Sequence, residues 1–302
     1  MGLPTLRDLF RAIMNGPERV GTHDKTEVLN ALGMLYPHFE PRMTPPSFPP
    51  FEQFLSLVDS AKEFPFYGDD YWSQKERSAL RLLTDSLAEA TKAAENSDLL
   101  ARFTERLEYG DVVITFNWDG LIERSLFRQT RRINLVERDP SAVTLLKLHG
   151  SLNWFRLPEG PTRQDPKSVA RVHPGSDIFR TVDFAYYDMW GILNEPPFII
   201  PPTVAKRPLG ADLLERIWWE AFNALIEAGR VTVIGYSLPV EDLHARTFLR
   251  SGLVHGRKRY MVIDPNPEVG GRYFTQVGDR IEFVQSFFDH AIMDIIFQTS
   301  DQ

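Results

Sequence analysis

Residues 143–154 read VTLLKLHGSLNW, the stretch on which the fold assignment turns. Val143, Leu145, Leu146 and Leu148 form a short, nearly continuous apolar run. A short run without alternation fits a strand buried on both faces, as in a parallel sheet covered by helices. It stops abruptly at His149, Gly150 and Ser151. Gly150 has no Cβ, so the backbone can turn there or come close to a ligand. His149 then stands at the carboxyl end of a central strand, where open α/β sheets receive ligands. Its imidazole titrates near neutral pH and can take or give a proton. The plain alternative is a histidine that caps the strand or bonds a nearby carbonyl.

The flanking sequence repeats the pattern. Asp111 to Asn117, DVVITFN, is rich in β-branched residues and reads as a buried strand. A helix follows, with Leu121, Ile122 and Leu126 inward. Downstream, Asp212 to Glu227 is a strongly amphipathic helix, with Leu214, Ile217, Trp218, Phe222, Leu225 and Ile226 on one face. RVTVIGYS is then a strand, PVEDLHARTFLR a helix entered through Pro239, RYMVIDPNP a strand, RIEFVQ a strand, and FFDHAIMDIIF the closing helix. Alternation of strands with helices predicts an α/β fold built on a doubly wound parallel sheet.

The first hundred residues differ. Thr5 to Met14, Phe51 to Lys62 and Lys75 to Asn96 read as helices, and Ser97 and Asp98 cap another that ends at Gly110. From Asn15 to Ser47 the pattern weakens, and Pro41, Pro45, Pro46, Pro49 and Pro50 make a stiff loop. Arg156 to Pro196 is irregular, and the aromatics Phe184, Tyr186, Tyr187 and Trp190 suggest a small packed insertion. PFIIPPT reads as another strand, ended by Pro201 and Pro202.

Composition narrows the function. The chain has 302 residues, enough to bury a core without staples, and no cysteine. Disulfides and thiolate zinc sites are excluded. The net charge is −7 and no lysine–arginine block stands out, so nucleic-acid binding is not expected. No signal peptide opens the chain and no apolar run is long enough to span a bilayer. The expectation is a soluble, cytoplasmic protein with no membrane partner.

Four of the expected strands end in polar or glycine-containing turns: Asn117-Trp118-Asp119, His149-Gly150-Ser151, Gly235-Tyr236-Ser237 and Asp264-Pro265-Asn266. If the strands are parallel, these turns share one edge of the sheet. Each has a local explanation as a cap or a turn around proline. Together they resemble a nucleotide cleft.

TFNWD, KLHGSLNW, IGYSLP and VIDPNP, in this order, resemble the sirtuin-like NAD-binding family, and more closely its divergent bacterial branch. PFIIPPTVAK and the opening GLPTLRDLF are similar to that branch as well. The resemblance covers roughly residues 100 to 300. It implies a Rossmann-like domain over 1–302, with a mainly helical insertion at 15–98, the core at 99–155 and 196–302, and a small insertion at 156–195 in place of a zinc ribbon. It implies that His149 is the catalytic histidine and that Asn117 positions the nicotinamide ribose and the attacking group. By the same resemblance Asp119 lies near the carboxamide, Gly150 and Ser151 line the cleft, Gly235 and Ser237 hold ribose and phosphate, and Asn266 meets the adenosine ribose. NAD is expected as substrate, with no zinc or other metal.

Two departures matter. The zinc ribbon of the peptide deacetylases needs four cysteines, and none is present. The family also begins with a strand and a Gly-Ala-Gly-x-Ser loop whose amides cradle the pyrophosphate. Here GLPTLRDLF matches what normally follows that loop. A weak place in the sheet is therefore expected beside the strands ending at Asn117 and Gly235. Three functional readings stay open. The first is an NAD+ glycohydrolase, which the resemblance ties to bacterial antiphage defence. The second is a non-enzymatic module that binds NAD or ADP-ribose in a larger assembly. The third, weakened by the missing ribbon, is a protein deacylase. The resemblance also allows a homo-oligomer or a defence-system partner protein.

Overall fold

A computed structural model describes residues 22–36, 48–49, 51–63, 69–94, 96–156, 169–173, 178–181, 197–200, 212–239, 242–255 and 260–298. The expected helix at Thr5–Met14, most of the proline-rich loop and the Phe184–Trp190 aromatic cluster lie outside these residues. In chain order the elements are α1 (Thr22–Leu35), α2 (Phe51–Ala61), α3 (Asp69–Ala94), α4 (Asp98–Arg106), β1 (Val112–Thr115), α5 (Leu121–Arg128), β2 (Ile133–Asn134) and β3 (Val143–Lys147). Then come β4 (Trp154–Arg156), β5 (Val169–Arg171), β6 (Ile178–Thr181), α6 (Asp212–Glu227), β7 (Val231–Ile234) and α7 (Leu243–His255). β8 (Tyr260–Ile263), α8 (Pro267–Val277), β9 (Ile281–Val284) and α9 (His290–Gln298) close the chain. It is a mixed α/β protein that divides into two compact units.

The first unit holds residues 1–95, 117–120 and 149–208. Its core is the inner faces of α1, α2 and α3, with Val28, Leu32, Phe54, Val58, Leu80 and Leu83 packed alongside Trp118, Leu152 and Ile199. Helix α1 was not legible as a helix. It buries a carboxylate, Asp24, which accepts from the Ser78 hydroxyl at 2.8 Å, and its Glu27 pairs with the buried Lys75 of α3. Polar residues therefore occupy core positions and blur the apolar stripe. β4, β6 and β5 form a small antiparallel sheet in that order. The segment read as irregular thus contains two short strands. At three and four residues they are too short for a periodicity to show.

The same unit carries a titratable weak point. Burial, reinforced by the nearby carboxylates of Asp24 and Glu89 and opposed by Arg81, raises the Asp85 carboxyl to about 6 from its ordinary 3.8. The folded state then binds this proton more tightly than the unfolded chain. The group stabilises fully below the unfolded value, and that stability is lost as pH rises through about 6. Asp85→Asn should therefore raise the melting temperature by a few degrees at pH 8 and leave it unchanged at pH 4, read by thermal denaturation at both pH values.

The second unit holds residues 96–116, 121–148 and 209–302. It contains two three-stranded parallel sheets, β1-β3-β2 and β7-β8-β9. VTLLK is the middle strand of the first and is buried at every residue, as its unalternated apolar run demands. Helix α5 covers it through Leu126, which packs with Val143 and Leu107. The same face buries an ion pair, Lys147 to Glu123 at 3.1 Å. Helix α4 starts at Ser97, whose hydroxyl accepts from Leu100 N–H at 3.3 Å, and Gly110 takes φ +97 before β1. Helix α7 begins later than Pro239. Its cap is Asp242, whose carboxylate accepts from Ala245 N–H at 3.2 Å.

Helix α6 packs on α7 and on β3. Trp218 Nε1 donates to the Leu148 carbonyl at 2.9 Å, just past β3. Leu225 lies so close to Gly252 of α7 that a Cβ there would sit 2.3 Å from it. Strands β1 and β7 are each the outer member of their sheet, and both are only half-buried. Among the described residues no strand pairs with their free edges. Their carboxyl ends lie together, because Phe116 and Tyr236 stack with ring centroids 4.3 Å apart and planes 16° apart.

Candidate functional site

The candidate residues fall into two sets, one in each unit. The first set follows β1 and β3. In the β1–β3 register Thr115 pairs with Lys147, and Leu148 N–H donates to the Thr115 carbonyl at 3.0 Å. Asn117 and His149 each come two residues after that pair, at matching positions past adjacent parallel strands. The turns they begin are joined. Leu152 N–H donates to the Trp118 carbonyl at 2.9 Å, and the Ser151 hydroxyl donates to the same oxygen at 3.2 Å. Asn117 is exposed, Asp119 is half-buried, and His149 is 4 % exposed.

Gly150 and Ser151 have structural work. Gly150 takes φ +76, and a Cβ on it would lie 2.1 Å from the Phe198 carbonyl oxygen. It bridges Ile199 in antiparallel fashion. Ser151 N–H donates to the Phe198 carbonyl at 3.0 Å, and Ile200 N–H donates to the His149 carbonyl at 2.8 Å. The close approach that the glycine permits is therefore to residues 198–200 of its own chain. PFIIPPT contributes an isolated bridge there instead of a full strand. Ser151 is fully buried, with its hydroxyl already donated.

The next residue pair carries unmet polar capacity. Both amide atoms of Asn153 and Trp154 Nε1 are buried and meet no partner among the described residues.

The second set follows β7 and β8. Gly235 takes φ +63, and its N–H donates to the Ile263 carbonyl at 2.9 Å. Tyr236 Oη donates to Asp242 at 3.3 Å, and Tyr273 Oη donates to the Tyr236 carbonyl at 3.0 Å. Burial, helped by Asp242, pushes the Tyr236 phenol far above its ordinary range; burial, helped by Asp264, does the same to Tyr273. Both rings stay neutral donors at any ordinary pH. Asn266 caps α8, its side-chain oxygen accepting from Glu268 N–H at 3.0 Å, while its own N–H donates to Asp264 at 2.8 Å.

The structure thus brings Asn117, Asp119, His149, Gly150 and Ser151 together in the first unit, and Gly235, Ser237 and Asn266 together in the second. Sequence reasoning assigned no role to Asp242, Arg272, Tyr273 or Asn153. Asn153 lies within the KLHGSLNW motif, whereas only the fold shows what Asp242 and Tyr273 touch and that the Arg272 guanidinium donates to the Ser237 carbonyl at 3.0 Å. Among the described residues no group of three or more His, Asp or Glu side chains could hold a metal, and no helix is long and apolar enough to cross a membrane. Compared with known proteins, the chain matches no family model and no curated protein.

Proposed function

We propose that the chain is an NAD+ glycohydrolase with a Rossmann-like, doubly wound core of the sirtuin-like kind. The observation that carries this is the matched placement of Asn117 and His149 past the paired Thr115 and Lys147. An amide and an imidazole at neighbouring strand ends suit cleavage of an N-glycosidic bond. The bond from the ribose carbon to the nicotinamide nitrogen breaks, and nicotinamide leaves neutral with the bonding electrons. Positive charge develops on the ribose. Asn117 orients a water molecule on the opposite face, and Asp119 binds the departing carboxamide. The water oxygen bonds to the ribose carbon, and its proton passes to His149. General-base help of this kind is worth ~10²–10⁴ in rate. A role in bacterial antiphage defence follows from the family resemblance alone.

A second reading has its own observation. The burial of His149 to 4 % exposure favours a module that binds NAD or ADP-ribose without turnover. One assay separates the readings. Protein is incubated with NAD+, with and without an acetylated peptide. The glycohydrolase gives nicotinamide and ADP-ribose in equal amounts without peptide. Intact but bound NAD+ supports the module, and product that forms only with peptide supports a deacylase.

A further inference from the structure

The middle strand of the first parallel sheet ends on a buried charge. Along β3, Val143, Leu145 and Lys147 alternate onto one face, and α5 covers that face through Leu126. Lys147 is 1 % exposed and Glu123 is 2 % exposed. The Lys147 ammonium meets Glu123 Oε2 at 3.1 Å. Glu123 Oε1 is buried as well and meets no partner among the described residues. Taking two charges out of water, with one carboxylate oxygen left unmet, offsets most of what their attraction returns. An apolar pair of similar volume commonly gives equal or greater stability. What the ion pair adds is direction, which apolar contacts do not supply.

That direction is applied at both ends of one turn. Lys147 stands opposite Thr115 at the last paired position of β1 and β3. Its side chain reaches Glu123 in the first turn of α5. Residues 117–120 run between these two points, from β1 into α5. One residue of β3 thus holds the start of this turn through the sheet and its end through the ion pair. The same residue leads into the second turn. Leu148, which follows it, donates its N–H to the Thr115 carbonyl at 3.0 Å, and its own carbonyl accepts from Trp218 Nε1 at 2.9 Å. His149 comes next in the chain.

We propose that Lys147 and Glu123 are positioning residues, whose ion pair fixes the turn carrying Asn117 and Asp119 against the strand that delivers His149. The catalytic consequence rests on the glycohydrolase reading above; the fixing of the turn does not. A general base must lie within hydrogen-bond reach of the proton it takes, and a displacement of about 1 Å can cost about 10²-fold in rate. An apolar pair would keep α5 packed on β3 and let it slide by such a distance.

The test is the double variant Glu123→Leu/Lys147→Met, which removes both charges and keeps most of the buried volume, beside the single variant Glu123→Leu. Melting temperature, NAD+ kinetics per folded molecule and amide hydrogen exchange are measured on both and on wild type. The single variant leaves the buried Lys147 ammonium without this carboxylate and should melt several degrees lower. The double variant should melt at or above wild type. Its kcat should still fall about tenfold or more, with KM within about twofold, because a misplaced base weakens only the transition state. Exchange reads the turn without NAD+. The Leu152 N–H, bonded to the Trp118 carbonyl, should exchange about tenfold faster in the double variant, while the Leu148 N–H, bonded to Thr115, should not change. Leu152 exchange equal to wild type in the double variant overturns the proposal, as does equal turnover per folded molecule where wild type turns NAD+ over. A double variant that melts well below wild type also overturns it, because the pair then serves stability. Faster Leu152 exchange in the double variant, with NAD+ left intact by wild type, upholds the fixed turn and removes the glycohydrolase reading.

Discussion

Gly150→Ala should come close to unfolding the first unit. The added Cβ would sit 2.1 Å from the Phe198 carbonyl oxygen and 3.0 Å from its carbon, both backbone atoms that cannot swing aside. The residue would also have to hold φ +76, which costs an L-amino acid about 1–2 kcal/mol. Relief of the clash requires residues 198–200 to move. That breaks the bonds from Ser151 N–H to Phe198 and from Ile200 N–H to His149. Each buried group left unpaired costs about 1–3 kcal/mol. The sum, about 3–8 kcal/mol, is large against the ~5–15 kcal/mol that holds a typical domain. Urea titration followed by tryptophan fluorescence should show the midpoint fall steeply. Gly235→Ala is the matched control: its φ is +63, but nothing lies within 4 Å of its Cβ position, so only the backbone strain applies. Equal losses at the two positions would refute the close-approach account of Gly150.

The comparison also shows what the sequence could and could not reveal. Strand β3 was legible because it is buried on both faces, and burial on both faces leaves an unbroken apolar run. The parallel order followed from strand–helix alternation. Helix α1 was not legible, since Asp24 and Glu27 spend their charges on Ser78 and Lys75 inside the helical unit. Strands β5 and β6 are too short to establish a period. Within the site, Gly150 was recognised as a turn or close approach, and the structure shows the approach to the Phe198 carbonyl. Asn266 was recognised as polar at a turn, and half of its amide proves to be a helix cap. The bonds from α8 to the Tyr236 and Ser237 carbonyls were not legible, because carbonyls are the same in every residue.

At His149 chemistry and packing must be separated with care. From sequence alone a cleft-facing histidine would contribute little to stability. In the structure the residue is 4 % exposed and its carbonyl anchors Ile200. His149→Ala therefore removes buried volume as well as a base, and some loss of melting temperature is expected whatever its role. His149→Gln keeps most of the volume and a polar end but cannot take up a proton near neutral pH. If His149 is the general base, both variants should lose turnover by ~10²-fold or more, and the glutamine variant should do so with melting temperature within a few degrees of wild type. Asn117 gives the complementary case. It is exposed, so Asn117→Ala should leave stability nearly unchanged while cutting kcat about as deeply. The discriminating quantity is the nicotinamide release rate per folded molecule, with the folded fraction taken from the same sample. Rates in the glutamine and Asn117 variants that match wild type after that correction would leave His149 as a buried strand cap, and the two residues as a structural pair at the end of β1 and β3.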